Sequence, residues 1–197
     1  AGEQAMYDRN AEQDTEGGRQ AMSIVKLIDS RFPFPQNLTG LIKYIFNDDE
    51  TATRSHSYLR YLIFVSPDIV DVQAPGRIQR TVELICHNHA LWNVPYGPSL
   101  AHHMVVSFAD AEINNPNDAW WLGVQISQGY FKKGYINCFA VHTSTDNLHL
   151  HFAIDNISFE TGQPFYIPNE AVALRQQIDE WISNYLSGST VPLSSCR

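Results

Sequence analysis

The sequence predicts an α+β fold, a central antiparallel sheet with helices packed on one of its faces. Three observations lead there. Strand-like and helix-like stretches are interleaved along the chain, a pattern of mixed elements around one sheet. Two strand-like runs, residues 136–142 and 148–156, are separated only by the loop-forming TSTDN of residues 143–147, which makes them a hairpin and therefore antiparallel. Finally, 197 residues with 44% hydrophobic and 17% charged content suffice for one buried core and are too few for two comfortable ones.

Residues 1–21 are polar and aperiodic, an accessory arm or a vector remnant, and precede a single domain over residues 22–197 that opens at Met22. The apolar run IVKLI at 24–28 reads as a buried strand, ended by Pro33 and Pro35 because neither can donate to a ladder. Asn37 is the expected N-cap of a helix whose Leu38, Leu41, Ile42 and Ile45 recur at helical spacing and form an apolar stripe. Tyr44 is rotated about 100° from Ile45 on that helix, off the stripe. A strand is expected within 58–65, a helix from Gly76 to about Trp92, and a strand at Ala101–Phe108. A helix follows from about Asn117 to Lys133, then the hairpin, then a last helix from about Asn169 to Leu186.

Charge and cysteine content narrow the function classes. No apolar run reaches the roughly 18 residues of a membrane span, and no basic region followed by an apolar stretch opens the chain. A soluble, intracellular protein without a membrane partner is expected. Cys86, Cys138 and Cys196 are odd in number and match neither a disulfide framework nor a Cys-x-x-Cys zinc pair, so they are read as free thiols. The net charge of -8 argues for modest non-specific affinity toward nucleic acid, whose binding relies on Lys and Arg. Five acidic residues against two arginines within residues 1–21 account for three of those charges.

The hairpin carries the chemistry. Side chains two apart on a strand share a face, so His149 and His151 point one way and Leu148, Leu150, Phe152 and Ile154 the other. A short connection brings His142 opposite His149, with the side chains about 5 Å apart. Three imidazoles thus converge on one sheet face. Neutral imidazole suits Mn, Zn, Ni and related divalent ions, and three protein ligands leave coordination positions open, as a catalytic site requires. Isolated strand histidines are ordinarily surface residues; three at spacing H-x6-H-x-H with cleanly apolar residues between them are better explained as a metal site. No helical His-Glu-x-x-His accompanies them.

Residues 139–156, FAVHTSTDNLHLHFAIDN, followed by SFETG at 158–162, resemble the third motif of the relaxase and mobilisation nucleases of plasmids and integrative elements, the HUH-type conjugative relaxases. HMVVSF at 103–108 is similar to that family's strand ending in Ser-Phe, and LIKYI at 41–45 to the segment holding its nucleophilic tyrosine. The resemblance covers roughly residues 23–165 in the family's order. It implies a ferredoxin-like, palm-type sheet and a divalent ion, Mn or Mg first and Zn or Ni as alternatives, held by His142, His149 and His151. It further implies that Tyr44 attacks a phosphorus of single-stranded DNA at a transfer origin, giving a 5′-phosphotyrosine and a free 3′-hydroxyl. His103 is the expected base or phosphate contact; Lys43, Arg54 and Ser107 are expected DNA contacts. Tyr58 and Tyr61 are weaker alternatives to Tyr44, and Lys132 and Lys133 are read first as complements to a helix C-terminus.

In one place the sequence departs from the family, which often has Asp two residues after the first histidine. Ser144 stands there, so support for His142 must come from elsewhere, with Asp146 the nearest carboxylate. By the same resemblance the partners are an accessory DNA-binding relaxosome protein and the coupling protein of a type IV secretion system. The protein would work in the bacterial cytoplasm and travel with the DNA into the recipient. Competing readings are a rolling-circle replication initiator, a two-histidine RNA phosphodiesterase for which only His142 offers a His-x-Ser/Thr element, and a DNA-binding module whose catalytic site is vestigial.

Overall fold

The computed structural model describes residues 23–28, 30–46, 60–63, 76–94, 99–108, 113–143, 147–165 and 170–187. The polar arm, Arg54, Tyr58, Ser144 and Asp146 lie outside them, as does Cys196. In chain order the elements are β1 (Ser23–Ile28), α1 (Pro35–Phe46), β2 (Arg60–Ile63), α2 (Arg77–Leu91), β3 (Ala101–Phe108), α3 (Pro116–Lys132), β4 (Asn137–His142), β5 (His149–Asp155) and α4 (Glu170–Leu186). The strands form one sheet in the order β1-β3-β5-β4-β2, and every neighbouring pair is antiparallel.

Local chemistry sets the helix starts. Gly76 takes a left-handed φ of 78° before α2, a conformation that costs glycine nothing. Asn115 caps α3 by accepting from the Asn117 amide at 3.0 Å, and Pro116 fills the first helical position, where no backbone N–H is needed. The same rule corrects the expected start of α1. The helix begins at Pro35 and not after Asn37, because a proline's fixed φ already suits a first turn.

The alternation expected of β5 is the one observed. Leu150, Phe152 and Ile154 join Met104, Val106, Phe108, Phe139 and Val141 on one face, packed against Leu122, Val124, Ile126 and Tyr130 of α3 and Leu174 and Ile178 of α4. The opposite face is covered too, which adds a layer to the expected one-sided arrangement. There Ala101, Cys138, Ala140 and Ala153 lie beneath Leu38, Leu41, Ile42, Ile45 and Phe46 of α1 and Val82 and Ile85 of α2. Small side chains on that half of the sheet let α1 and α2 approach.

A buried polar cluster ties α2 to the end of β5. Asp155 is fully buried and accepts from Asn88 Nδ2 at 2.8 Å and from the Ile157 amide at 3.1 Å, with His89 Nε2 at 3.0 Å. Burial raises the Asp155 carboxyl above its usual range, opposed by the His89 and Asn88 bonds. Since α1 packs on α2, this anchor also steadies the helix that carries Tyr44.

Candidate metal and nuclease centre

Beyond the helical cover, the same sheet face carries the histidines. His142 pairs with His149 across the β4–β5 ladder, and His151 lies two residues further along β5. One ligand atom from each of the three lies within 4.8 Å of the others, a cluster small enough for one ion. The His142 and His151 rings are 4.3 Å apart between centroids, and the His149 and His151 rings 4.9 Å. β3 places His103 beside them, with its ring 5.1 Å from that of His151.

Hydrogen bonds fix which nitrogen each ring turns inward. A carbonyl only accepts, so the 2.8 Å contact from His142 Nε2 to the Ile45 carbonyl puts the ring hydrogen on Nε2 and the lone pair on Nδ1. His149 Nδ1 donates in the same way to the Asn147 carbonyl at 3.0 Å, which leaves its lone pair on Nε2. His151 Nδ1 meets His103 Nε2 at 2.8 Å. Its other nitrogen, Nε2, is buried with no hydrogen-bond partner among the described residues. Leaving such an atom bare costs about 1–3 kcal/mol, and a metal ion bound there removes that cost. The donor set fits a divalent cation on this ground.

Electrostatics agree. Burial lowers His103 to about 4, and burial together with the neighbouring His142, His103 and His149 holds His151 far below the usual imidazole range. At neutral pH both are uncharged, the form in which imidazole binds metal.

Tyr44 completes the site. α1 buries Leu41, Ile42, Ile45 and Phe46 and leaves Tyr44 54% exposed. Its ring stands edge-on to three imidazoles, with centroids 5.2 Å from His151, 5.8 Å from His142 and 6.0 Å from His103. An exposed phenol thus stands beside three buried imidazoles.

The remaining expected residues are placed unevenly. Lys43 is exposed beside Tyr44. Ser107 is half-buried on β3, paired with His149 on one side and Ile24 on the other. Tyr61 lies in β2 at the register position of Phe139. Arg54 and Asp146 fall outside the described residues. Sequence reasoning missed two contributors. The Ile45 carbonyl supports His142 in the way expected of Asp146, and backbone groups leave no mark in a sequence. Lys26 of β1 lies opposite Val105, itself opposite His151, and is the β1 cation in the histidine row; its alternation with Val25 and Leu27 was the signal available.

A three-histidine cluster able to hold a metal ion, on an antiparallel sheet beside an exposed tyrosine, is a candidate nuclease centre. The chain belongs to the relaxase family: the model for the MobA/VirD2-like relaxase nuclease domain matches residues 78–185. That stretch includes His103, His142, His149 and His151 and begins after Tyr44. Among solved structures, the chain is similar to a manganese-bound crystal structure of the MobM relaxase domain in complex with plasmid pMV158 oriT DNA. The identity is 12%, the TM-score 0.55, and the match covers 83% of this chain and 86% of that one. At this identity the likeness concerns the fold. No curated protein matches.

Proposed function

We propose that this relaxase domain nicks one DNA strand at the transfer origin of a plasmid or integrative element, with Tyr44 as the nucleophile. The observation that carries the reading is the placement of the Tyr44 ring within 5.2–6.0 Å of His151, His142 and His103, beside the buried stripe of α1. His142 Nδ1, His149 Nε2 and His151 Nε2 would hold a divalent ion, with Mn or Mg favoured over Zn or Ni. Such an ion, when bound, draws charge from a phosphate oxygen and orients the phosphate for in-line attack.

The chain's own residues do the rest. Tyr44 Oη forms a bond to phosphorus as the bond from phosphorus to the 3′ oxygen breaks. The phenolic proton departs to solvent or a base, and the leaving 3′ oxygen takes up a proton to become a hydroxyl. The 5′ end stays on Tyr44 as a phosphodiester, so rejoining by the 3′-hydroxyl needs no nucleotide cofactor. Lys43 and Ser107 flank the centre as phosphate contacts, with Arg54 as a further contact. A relaxosome accessory protein and a secretion coupling protein are the partners of such a reaction in the bacterial cytoplasm, before passage with the strand to a recipient.

The test is direct. The chain is incubated with Mn²⁺ and single-stranded DNA spanning the transfer origin of its own element, and the product is run under denaturing conditions. A covalent adduct mapping by mass spectrometry to the Tyr44 peptide, and absent in Tyr44→Phe, is expected. An adduct on another tyrosine, or nicking that survives Tyr44→Phe, overturns the assignment.

A further inference from the structure

We infer that His103 is a positioning residue for the metal ligand His151, and not the base that deprotonates Tyr44. The inference rests on the reading of His142, His149 and His151 as metal ligands. It follows from counting hydrogens. The two rings face each other through His103 Nε2 and His151 Nδ1 at 2.8 Å, a distance that holds one hydrogen and one lone pair.

The buried His151 Nε2 has no hydrogen-bond partner among the described residues and is the atom left to meet a ligand. When its lone pair is given to a cation, a neutral ring keeps its hydrogen on Nδ1. His151 Nδ1 is then the donor, and His103 Nε2 must accept. With its lone pair committed to His151, His103 Nε2 has none left for the Tyr44 phenol, and the hydrogen of the neutral His103 ring sits on Nδ1. His103 thereby does for His151 what the Ile45 carbonyl does for His142 and the Asn147 carbonyl for His149. Each ligand has an acceptor behind it, the arrangement that fixes ring orientation and raises ligand basicity in metal sites.

The ladder explains why an imidazole can occupy this place. His103 pairs with Ala153 on β5, and Val105 with His151, so His103 stands one pair diagonal from the ligand it supports. The methyl of Ala153 leaves room for its ring, and Ile28 is its β1 neighbour on the other side.

The experiment measures metal binding on the full chain stripped of metal. Free Mn²⁺ is followed by electron paramagnetic resonance for wild type, His103→Phe and His103→Gln. Phenylalanine keeps a ring in the buried slot and removes the acceptor, while glutamine restores an acceptor at similar reach. The expected Kd for Mn²⁺ is weaker by about 10–100-fold in His103→Phe and within roughly threefold of wild type in His103→Gln, the range set by loss and rescue of a supporting partner. Equal binding by wild type and His103→Phe overturns the inference, as does a folded His103→Gln that binds as weakly as His103→Phe. A wild-type chain that takes up no Mn²⁺ overturns the metal reading and this one with it.

Should His103→Phe fail to fold, nitrogen-15 NMR of the Zn²⁺-loaded wild-type chain decides. Hydrogens on Nδ1 of both His103 and His151 are expected. A hydrogen on Nε2 of His103 overturns the inference.

Discussion

Replacing Gly123 by alanine should destabilise the protein, although the same change in a helix ordinarily stabilises it. Gly123 lies inside α3, where alanine is favoured over glycine by roughly 1 kcal/mol. A methyl there would stand 2.7 Å from Phe139 Cζ and 2.8 Å from Phe139 Cδ2, with Cε2 nearer still. Ordinary carbon contacts lie at about 3.5–4.0 Å, so the ring or the helix must move by more than an ångström.

Neither can move cheaply. Phe139 is fully buried and stacked on Phe152 with centroids 5.2 Å apart. Overpacking of this kind costs about 1–3 kcal/mol; set against the helix gain of roughly 1 kcal/mol, it leaves a net loss of up to about 2 kcal/mol. For a chain of this size that lowers Tm by up to roughly 8 °C. Gly129 in the same helix provides the control, because a methyl there meets nothing within 4 Å; Gly129→Ala should hold or raise Tm. Urea and thermal unfolding of both variants, with Phe139→Leu added to Gly123→Ala as a rescue, form the assay. If Gly123→Ala stabilises as much as Gly129→Ala, the close packing of α3 on β4 is refuted.

Three further outcomes follow from the site and its supports. Mn²⁺ at about 100 times its Kd should stabilise the metal-free chain by about 2.7 kcal/mol through linkage; the shift should vanish in His151→Ala, and a shift that persists would place the metal elsewhere. Asp155→Ala strips the partner from Asn88, His89 and the Ile157 amide and should cost about 3 kcal/mol in urea unfolding; a loss below about 1 kcal/mol would mean water replaces the carboxylate. Acid should also destabilise the metal-free chain. His103 titrates at about 4 when folded and near 6.5 when unfolded. The unfolded state therefore binds more protons in that window, and stability present above pH 6.5 falls by about 2 kcal/mol by pH 5 for this group alone. A urea midpoint unchanged between pH 7.5 and 5 would contradict the burial of neutral histidine.

Much of the site could be read from the sequence because it is written in strand alternation. The H-x6-H-x-H spacing with apolar Leu150 and Phe152 between and after the histidines admits one register, and the structure pairs His142 with His149 accordingly. The edges of β3 were legible for the same reason. Less legible was anything that depends on which helix covers which face. The sequence shows α1 and α2 as amphipathic, but only the small residues Ala101, Ala140 and Ala153 hint that the histidine face could be partly roofed. The Asp155 anchor was hidden because its partners Asn88 and His89 are 67 and 66 residues away, and helical periodicity alone leaves them unassigned. Support for His142 was sought in a carboxylate and came from a backbone oxygen.

That backbone oxygen belongs to Ile45, the residue after Tyr44, so one peptide unit separates the proposed nucleophile from the prop of a proposed metal ligand. The spacing between them is set by covalent geometry and does not depend on how α1 packs. A one-residue insertion after Tyr44 would turn the phenol about 100° relative to the carbonyl and separate the two functions at a stroke. Substitutions elsewhere on α1 would instead shift both together and leave their relation intact. Sequence drift along α1 can therefore change the side chains off its buried stripe but not its count of residues at this point. A DNA end carried on Tyr44 would be leashed to the same ring that holds the ion, which keeps the cut end within reach of the centre that must later reseal it.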